Sequence, residues 1–121
     1  MYSSKVRNHI AHIRNVGQPH GATHRGTAGI PGEGPFITIY LCIQAGALRG
    51  AGYHSYACPA AIACASELVE TLIGLTVAEA LEIQPNQLLE RLGGLPEGKH
   101  DRLDLALTAL ESAVSSPIDE T

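Results

Sequence analysis

Positive charge is scarce in this sequence. Eight Lys and Arg stand against twelve Asp and Glu, for a net charge of −4 over 121 residues, and no stretch gathers the cations into a cluster. Aromatic residues make up only 4% and tryptophan is absent. A nucleic-acid binder needs cations to neutralise phosphates, so that class of partner is set aside. No run of eighteen apolar residues occurs, which argues against a membrane span. The opening M-Y-S-S-K-V-R-N-H lacks the apolar segment of a signal peptide. The expectation is a cytoplasmic protein with no membrane contact. Cysteine is also sparse. Cys42, Cys58 and Cys64 are an odd number at irregular spacing, and no C-x-x-C occurs. That pattern argues against a disulfide framework and leaves any cysteine chemistry to single thiols.

What is present is apolar material for one core: 45% of the residues are hydrophobic. The expectation is a single domain over residues 1–121. Val6, Ile10 and Ile13 share one side of a short helix. Residues 17–34 are rich in glycine, with two prolines and two histidines, and read as a long, flexible and functional loop. Ile37, Ile39, Leu41 and Ile43 then alternate with Thr38, Tyr40, Cys42 and Gln44, the period of a half-buried strand. Gln44-Ala45-Gly46 reads as a turn into a second strand near Ala47 to Gly52, continuing toward Ala57 through a bulge at Gly50 or Gly52. Pro59 suits a first helical position, with Ala61, Ala65, Leu68 and Leu72 as its buried stripe. Gly74 can end that helix. Thr76 and Glu79 form a capping-box pattern. Pro85 opens a helix that stops at Gly93-Gly94, and a last helix runs from about Asp101 to Ser115. Residues 116–121 read as a frayed acidic tail. The fold class is α+β: a small antiparallel sheet of about three strands packed against C-terminal helices.

Four stretches point further. His9 to Gly17, H-I-A-H-I-R-N-V-G, is similar to H-x-x-N-P-R-N-V-G. G-I-P-G-E-G-P stands where G-x-P-x-C-G-D is expected, Y-A-C-P-A-A-I-A is similar to F-G-C-G-A-A-I-A, and L-G-G-L-P-E-G-K-H-D-R to L-G-G-L-P-x-x-K-x-H-C. Together they resemble the iron–sulfur cluster assembly scaffold family, the IscU/NifU N-terminal type, over nearly the whole chain. The resemblance implies the same sheet-and-helix fold and a site of three cysteines, an Asp and a His converging on zinc or a nascent two-iron cluster. Carried over position by position, it puts Glu33 and Pro35 at the first Cys and the Asp, keeps the second Cys as Cys58, and puts Asp101 and Arg102 at the His and third Cys. A one-residue slip would bring His100 into the His position. The chaperone-recognition segment L-P-P-V-K of some members is here L-P-E-G-K, which weakens the case for chaperone docking.

Iron–sulfur clusters are held by thiolates, and an arginine cannot ligate a metal. From that donor count the expectation is no cofactor, with an iron–sulfur cluster disfavoured and room left for zinc or iron on Glu33, Cys58, Asp101 or His100. The leading reading is then an enzyme built on the scaffold fold, a cysteine-dependent hydrolase or lyase. Cys58, at a helix start, would be the nucleophile, its thiol lowered by the helix dipole and by Arg102. Glu33 and Asp101 would move protons, and Arg102, His54 and Tyr56 would bind a small anionic substrate. The alternative is an assembly scaffold, sulfur acceptor or metal-binding protein, with a cysteine desulfurase as its partner. Sharing of ligands in a homo-oligomer would serve that alternative. Plainer roles stand beside these: Asp101 as a helix cap, Glu33 as a solvated loop residue, Arg102 as an exposed first-turn residue and Cys58 as a packed thiol. Cys64 reads as core, Cys42 as incidental, and His20 and His24 as loop residues that could reach the site.

Overall fold

A computed structural model describes residues 2–30, 32–55 and 58–118. The order of elements is α1 (Ser4–Ala11), β1 (His24–Ala28), β2 (Ile37–Gln44), β3 (Ala47–His54), α2 (Pro59–Leu72), α3 (Val77–Ala80), α4 (Pro85–Arg91), a 3-10 turn (Glu97–Lys99) and α5 (Asp101–Val114). The three strands form one antiparallel sheet in the order β1-β2-β3. This is the expected α+β architecture. No helix among the described residues is long and apolar enough to cross a membrane.

Alternation along β2 sends Ile37, Ile39 and Leu41 to one face, all fully buried. Against that face lie α2, through Ala61, Ala65, Leu68 and Leu72, and α5, through Leu103, Ala106, Leu107, Leu110 and Ala113. Small residues set the spacing. A Cβ at Gly26 would stand 2.1 Å from the backbone nitrogen of Ala113, so β1 and α5 meet backbone to backbone. The β2–β3 hairpin turns through Ala45 (φ 53) and Gly46 (φ 76), positive at both central positions as the twist of a two-residue hairpin requires. The register shifts between Cys42 and Ile43, which face Gly50 and Leu48. Arg49 is therefore the extra residue of a bulge next to the expected Gly50.

Several expectations need correction. The segment 17–34 is not loop throughout, because His24–Ala28 forms β1. Its inward residues are Gly26 and Ala28, too small to give a visible hydrophobic alternation. Residues 116–118 are not frayed: Arg25 N–H donates to the Ser116 carbonyl (3.2 Å) and Ile118 N–H to that of Thr23 (2.8 Å), closing the open edge of β1. Residues 119–121 lie outside the described residues. The first helix ends at Ala11, and Ile13 is 55% exposed. The inward partner of Val6 on α1 is instead His9, buried with Nδ1 2.7 Å from Ser66 Oγ and Nε2 3.1 Å from Glu67 Oε1. The opposite edge of the sheet is closed as well. Tyr53 N–H donates to the Asn15 carbonyl (3.0 Å) and Gly17 N–H to that of Tyr53 (2.6 Å).

Candidate functional site

The sequence Cys58-Pro59 places a thiol at the N-terminal cap of α2. Proline needs no amide partner at the first helical position, and Cys58 keeps extended backbone angles (φ −142, ψ 105). Its side chain is mostly covered, with the residue 8% exposed. Across from it, α5 starts at Asp101, so Arg102 lies in the first turn. Arg102 Nε donates to Cys58 Sγ at 3.4 Å, and Arg102 Nη1 donates to Asp101 Oδ1 at 2.6 Å. One guanidinium thus connects the sulfur to a carboxylate.

Burial by itself would push the Cys58 thiol up. The Arg102 hydrogen bond, the amides of Ala61 and Ala60 and the Arg102 charge outweigh it, and the thiol sits below its ordinary value. The two amides act by proximity to the sulfur, since Cys58 forms no aligned side-chain cap bond. The other cysteines differ. Cys64 is fully buried and burial pushes it up to about 12; Cys42, on β2, is also raised by burial. Cys58 is therefore the thiol poised to ionise.

A half-open cavity of about 320 Å³ lies over the sulfur. Cys58, Lys99 and Arg102 supply its polar wall. Gly32, Gly34, Pro35 and Phe36 supply the rest, with the glycines offering backbone and no side-chain bulk. Lys99 was not among the candidates read from the sequence; the signal was the lysine of L-P-E-G-K, read there only as part of a recognition segment.

The other candidates disperse. Glu33 is exposed in the glycine segment and is not part of the cavity wall. Asp101 reaches Cys58 only through Arg102, and its side chain is 70% exposed. It occupies the first turn of α5 rather than capping it. His100 is exposed, its Nε2 2.9 Å from the Leu95 carbonyl oxygen. The metal set Glu33, Cys58, Asp101 and His100 is accordingly not assembled: no three of their donor atoms lie within 4.8 Å of one another. His54 is exposed at the end of β3, its ring edge-on to Phe36 with centroids 6.0 Å apart, so it stands behind the wall. Tyr56 lies outside the described residues. His24 pairs with Thr23 Oγ1 at 2.8 Å, and neither it nor His20 lines the cavity.

Among the described residues the one group of three candidate metal donors is His9, Glu67 and Glu70. Each is already engaged. His9 bridges Ser66 and Glu67, Arg91 pairs with Glu67, and Arg14 pairs with Glu70. The group ties α1 and the following segment to α2, and two guanidinium cations occupy the carboxylates a metal would use.

The model of the NifU-like N-terminal domain matches residues 1–117. The iron–sulfur cluster assembly scaffold protein IscU 1 of Archaeoglobus fulgidus is 39% identical over 114 residues, covering 94% of this chain and 74% of the relative. IscU of Aquifex aeolicus, carrying the same description, is 31% identical over 93% of this chain and 73% of its own. Among solved structures, a putative iron–sulfur cluster assembly scaffold protein from Fervidobacterium islandicum superposes with a TM-score of 0.68 at 19% identity, covering 95% of both chains, a likeness of fold. These findings correct one expectation outright. The donor count spoke against an iron–sulfur cluster, yet relatives matching nearly the whole chain are named as cluster assembly scaffolds. A count of thiols in one chain does not decide whether that chain takes part in cluster assembly. The comparisons also favour the assembly reading over that of a small-molecule enzyme.

Proposed function

This chain belongs to the NifU-like N-terminal domain family, the IscU/NifU type of scaffold, and from that premise we propose that it serves iron–sulfur cluster assembly with Cys58 as the thiolate that receives sulfur and then ligates the cargo. The observation that carries this reading is the Arg102 Nε to Cys58 Sγ hydrogen bond at the base of an open cavity. A sulfur acceptor must be ionised near neutral pH, reachable, and free of a competing thiol that would capture the sulfur as a disulfide. Cys58 is the thiol lowered from its ordinary value, it lines an accessible cavity, and it is in no disulfide.

The chemistry follows from those groups. The Cys58 thiolate attacks the outer sulfur of a persulfide on a donor protein. A new S–S bond forms at Cys58 as the donor's S–S bond breaks, and the electron pair leaves on the donor thiolate. Arg102 stabilises the anion before attack and the terminal sulfur anion after it. Asp101 holds the guanidinium in place. Sulfur is a soft iron donor, so Cys58 is the anchor for the cargo. A cysteine desulfurase fits the role of donor.

The test is anaerobic incubation with a cysteine desulfurase and cysteine, followed by peptide mass spectrometry. One added sulfur atom is expected on Cys58 and none on Cys42 or Cys64, with Cys58→Ser abolishing the label. Sulfur on another cysteine, or none on any, overturns the proposal.

A further inference from the structure

We propose that Cys58 also takes sulfur directly from a small thiosulfonate anion, thiosulfate being the simplest, with Lys99 and Arg102 holding the sulfonate end. This rests on the reading of Cys58 as a sulfur acceptor and adds a class of donor to it. A nucleophilic sulfur, two cations with donors to spare and an open mouth meet in the one cavity.

The sulfur caps α2 and accepts from Arg102 Nε at 3.4 Å. Arg102 gives Nη1 to Asp101, and its Nη2 makes no hydrogen bond among the described residues. Lys99, at the end of the 3-10 turn just ahead of α5, lines the same cavity and makes no ion pair among the described residues. The other wall residues, Gly32, Gly34, Pro35 and Phe36, carry no charge to repel an anion. Asp101, 70% exposed, stays outside that wall. A lysine and an arginine with open donors bind an oxyanion, one as a point charge and the other as a fork. A nucleophile beside such a receptor selects a substrate whose electrophilic sulfur is bonded to an anionic leaving group, and a thiosulfonate has that form. At about 320 Å³ and half-open, the cavity takes a tetrahedral anion without closing over the sulfur, so a donor protein can still approach it. The step balances on its own. The Cys58 thiolate attacks the outer sulfur of thiosulfate, a new S–S bond forms at Cys58 as the S–S bond of thiosulfate breaks, and the electron pair leaves on sulfite. Cys58 ends as a persulfide anion beside Arg102, with no outside oxidant or reductant consumed.

The test is anaerobic incubation of the reduced full chain with thiosulfate alone. Peptide mass spectrometry should find one added sulfur atom on Cys58 and none on Cys42 or Cys64, with sulfite released in equal amount. Neutral methyl methanethiosulfonate, which reacts by the same displacement at sulfur, is the reference. Lys99→Gln should lower the ratio of the thiosulfate rate to the neutral rate by about fivefold at low salt. The ratio is internal to each variant, so a general change in Cys58 reactivity cancels. Sulfate should slow the thiosulfate reaction more than chloride does at matched ionic strength, because it competes for the same donors. No sulfur on Cys58 and no sulfite released overturns the proposal. A ratio that Lys99→Gln leaves unchanged, or equal slowing by sulfate and chloride, overturns it as well, because the anion then meets the thiol without a receptor. The parent reading fails on different ground. Sulfur taken from a cysteine desulfurase but not from thiosulfate sinks this donor and leaves that reading standing, and sulfur taken from thiosulfate but not from the desulfurase does the reverse.

Discussion

At Cys58, two opposing effects of similar reach are decided by one side chain. Covering a thiol disfavours its anion, and the Arg102 guanidinium reverses that preference. Arg102→Gln keeps the length and some donor capacity but deletes the charge, so the burial effect should win. The expected outcome is a rise in the pH at which Cys58 reaches half its maximal alkylation rate, from below an ordinary thiol to above it, measured by mass-spectrometric labelling across pH. The sign for stability follows the same logic. A thiol lowered in the folded state favours folding once pH exceeds the unfolded thiol value, and loses that contribution as pH falls through the lowered one. Arg102→Gln should therefore lose stability relative to wild type on the alkaline side of neutrality and little below it. An alkylation profile identical to wild type would show that the guanidinium does not set the thiol. Legibility at this scale was uneven. Cys58 and its helix start could be read from Cys58-Pro59, and Arg102 came from the resemblance to the scaffold family. Lys99 stood in view only as the lysine of L-P-E-G-K, with nothing to tie it to the thiol, and nothing in the spacing of Glu33, Asp101 and His100 shows that their donors fail to converge.

Elements were readable where large apolar residues repeat and obscure where small ones do. The stripe Ala61, Ala65, Leu68, Leu72 and the alternation Ile37, Ile39, Leu41 announce α2 and β2 directly. The Thr76–Glu79 capping box is present as expected, with Glu79 N–H donating to Thr76 Oγ1 at 3.1 Å and Thr76 N–H to Glu79 Oε1 at 2.9 Å. Thr76→Ala should cost about 1 kcal/mol in urea unfolding. β1 escaped because its inward positions are Gly26 and Ala28. Its smallness is nonetheless what lets α5, and with it Arg102, come down onto the sheet. A single methyl at Gly26 would meet the α5 backbone, so Gly26→Ala should destabilise by about 3 kcal/mol or more. Gly98 is the control: a Cβ there meets nothing within 4 Å, and Gly98→Ala should stay within about 0.5 kcal/mol of wild type. Equal effects at the two sites would contradict the close approach of β1 and α5.

For the whole molecule, His9 was the least legible feature. A histidine on a short helix gives no sign that it is buried between Ser66 and Glu67, because the partners lie 57 and 58 positions away. His9→Ala would leave Glu67 without one of its contacts and open a gap beneath α1, at a cost of roughly 3 kcal/mol by thermal or urea unfolding. A loss below about 0.5 kcal/mol would mean that α1 is held by other contacts. The covered sheet has a consequence of another kind. Bare strand backbone would offer every encounter a sticky, unselective seam. Residues 15–17 on one side and 116–118 on the other pair with part of that seam; under the proposed assembly role, side-chain chemistry around the sulfur would be the ground on which partners are told apart. Unzipping residues 116–118 would uncover that edge before the core melts. A chain cut after Ser115 should accordingly clump faster in a warm, concentrated solution, by light scattering, while its Cys58 still titrates as in the full protein.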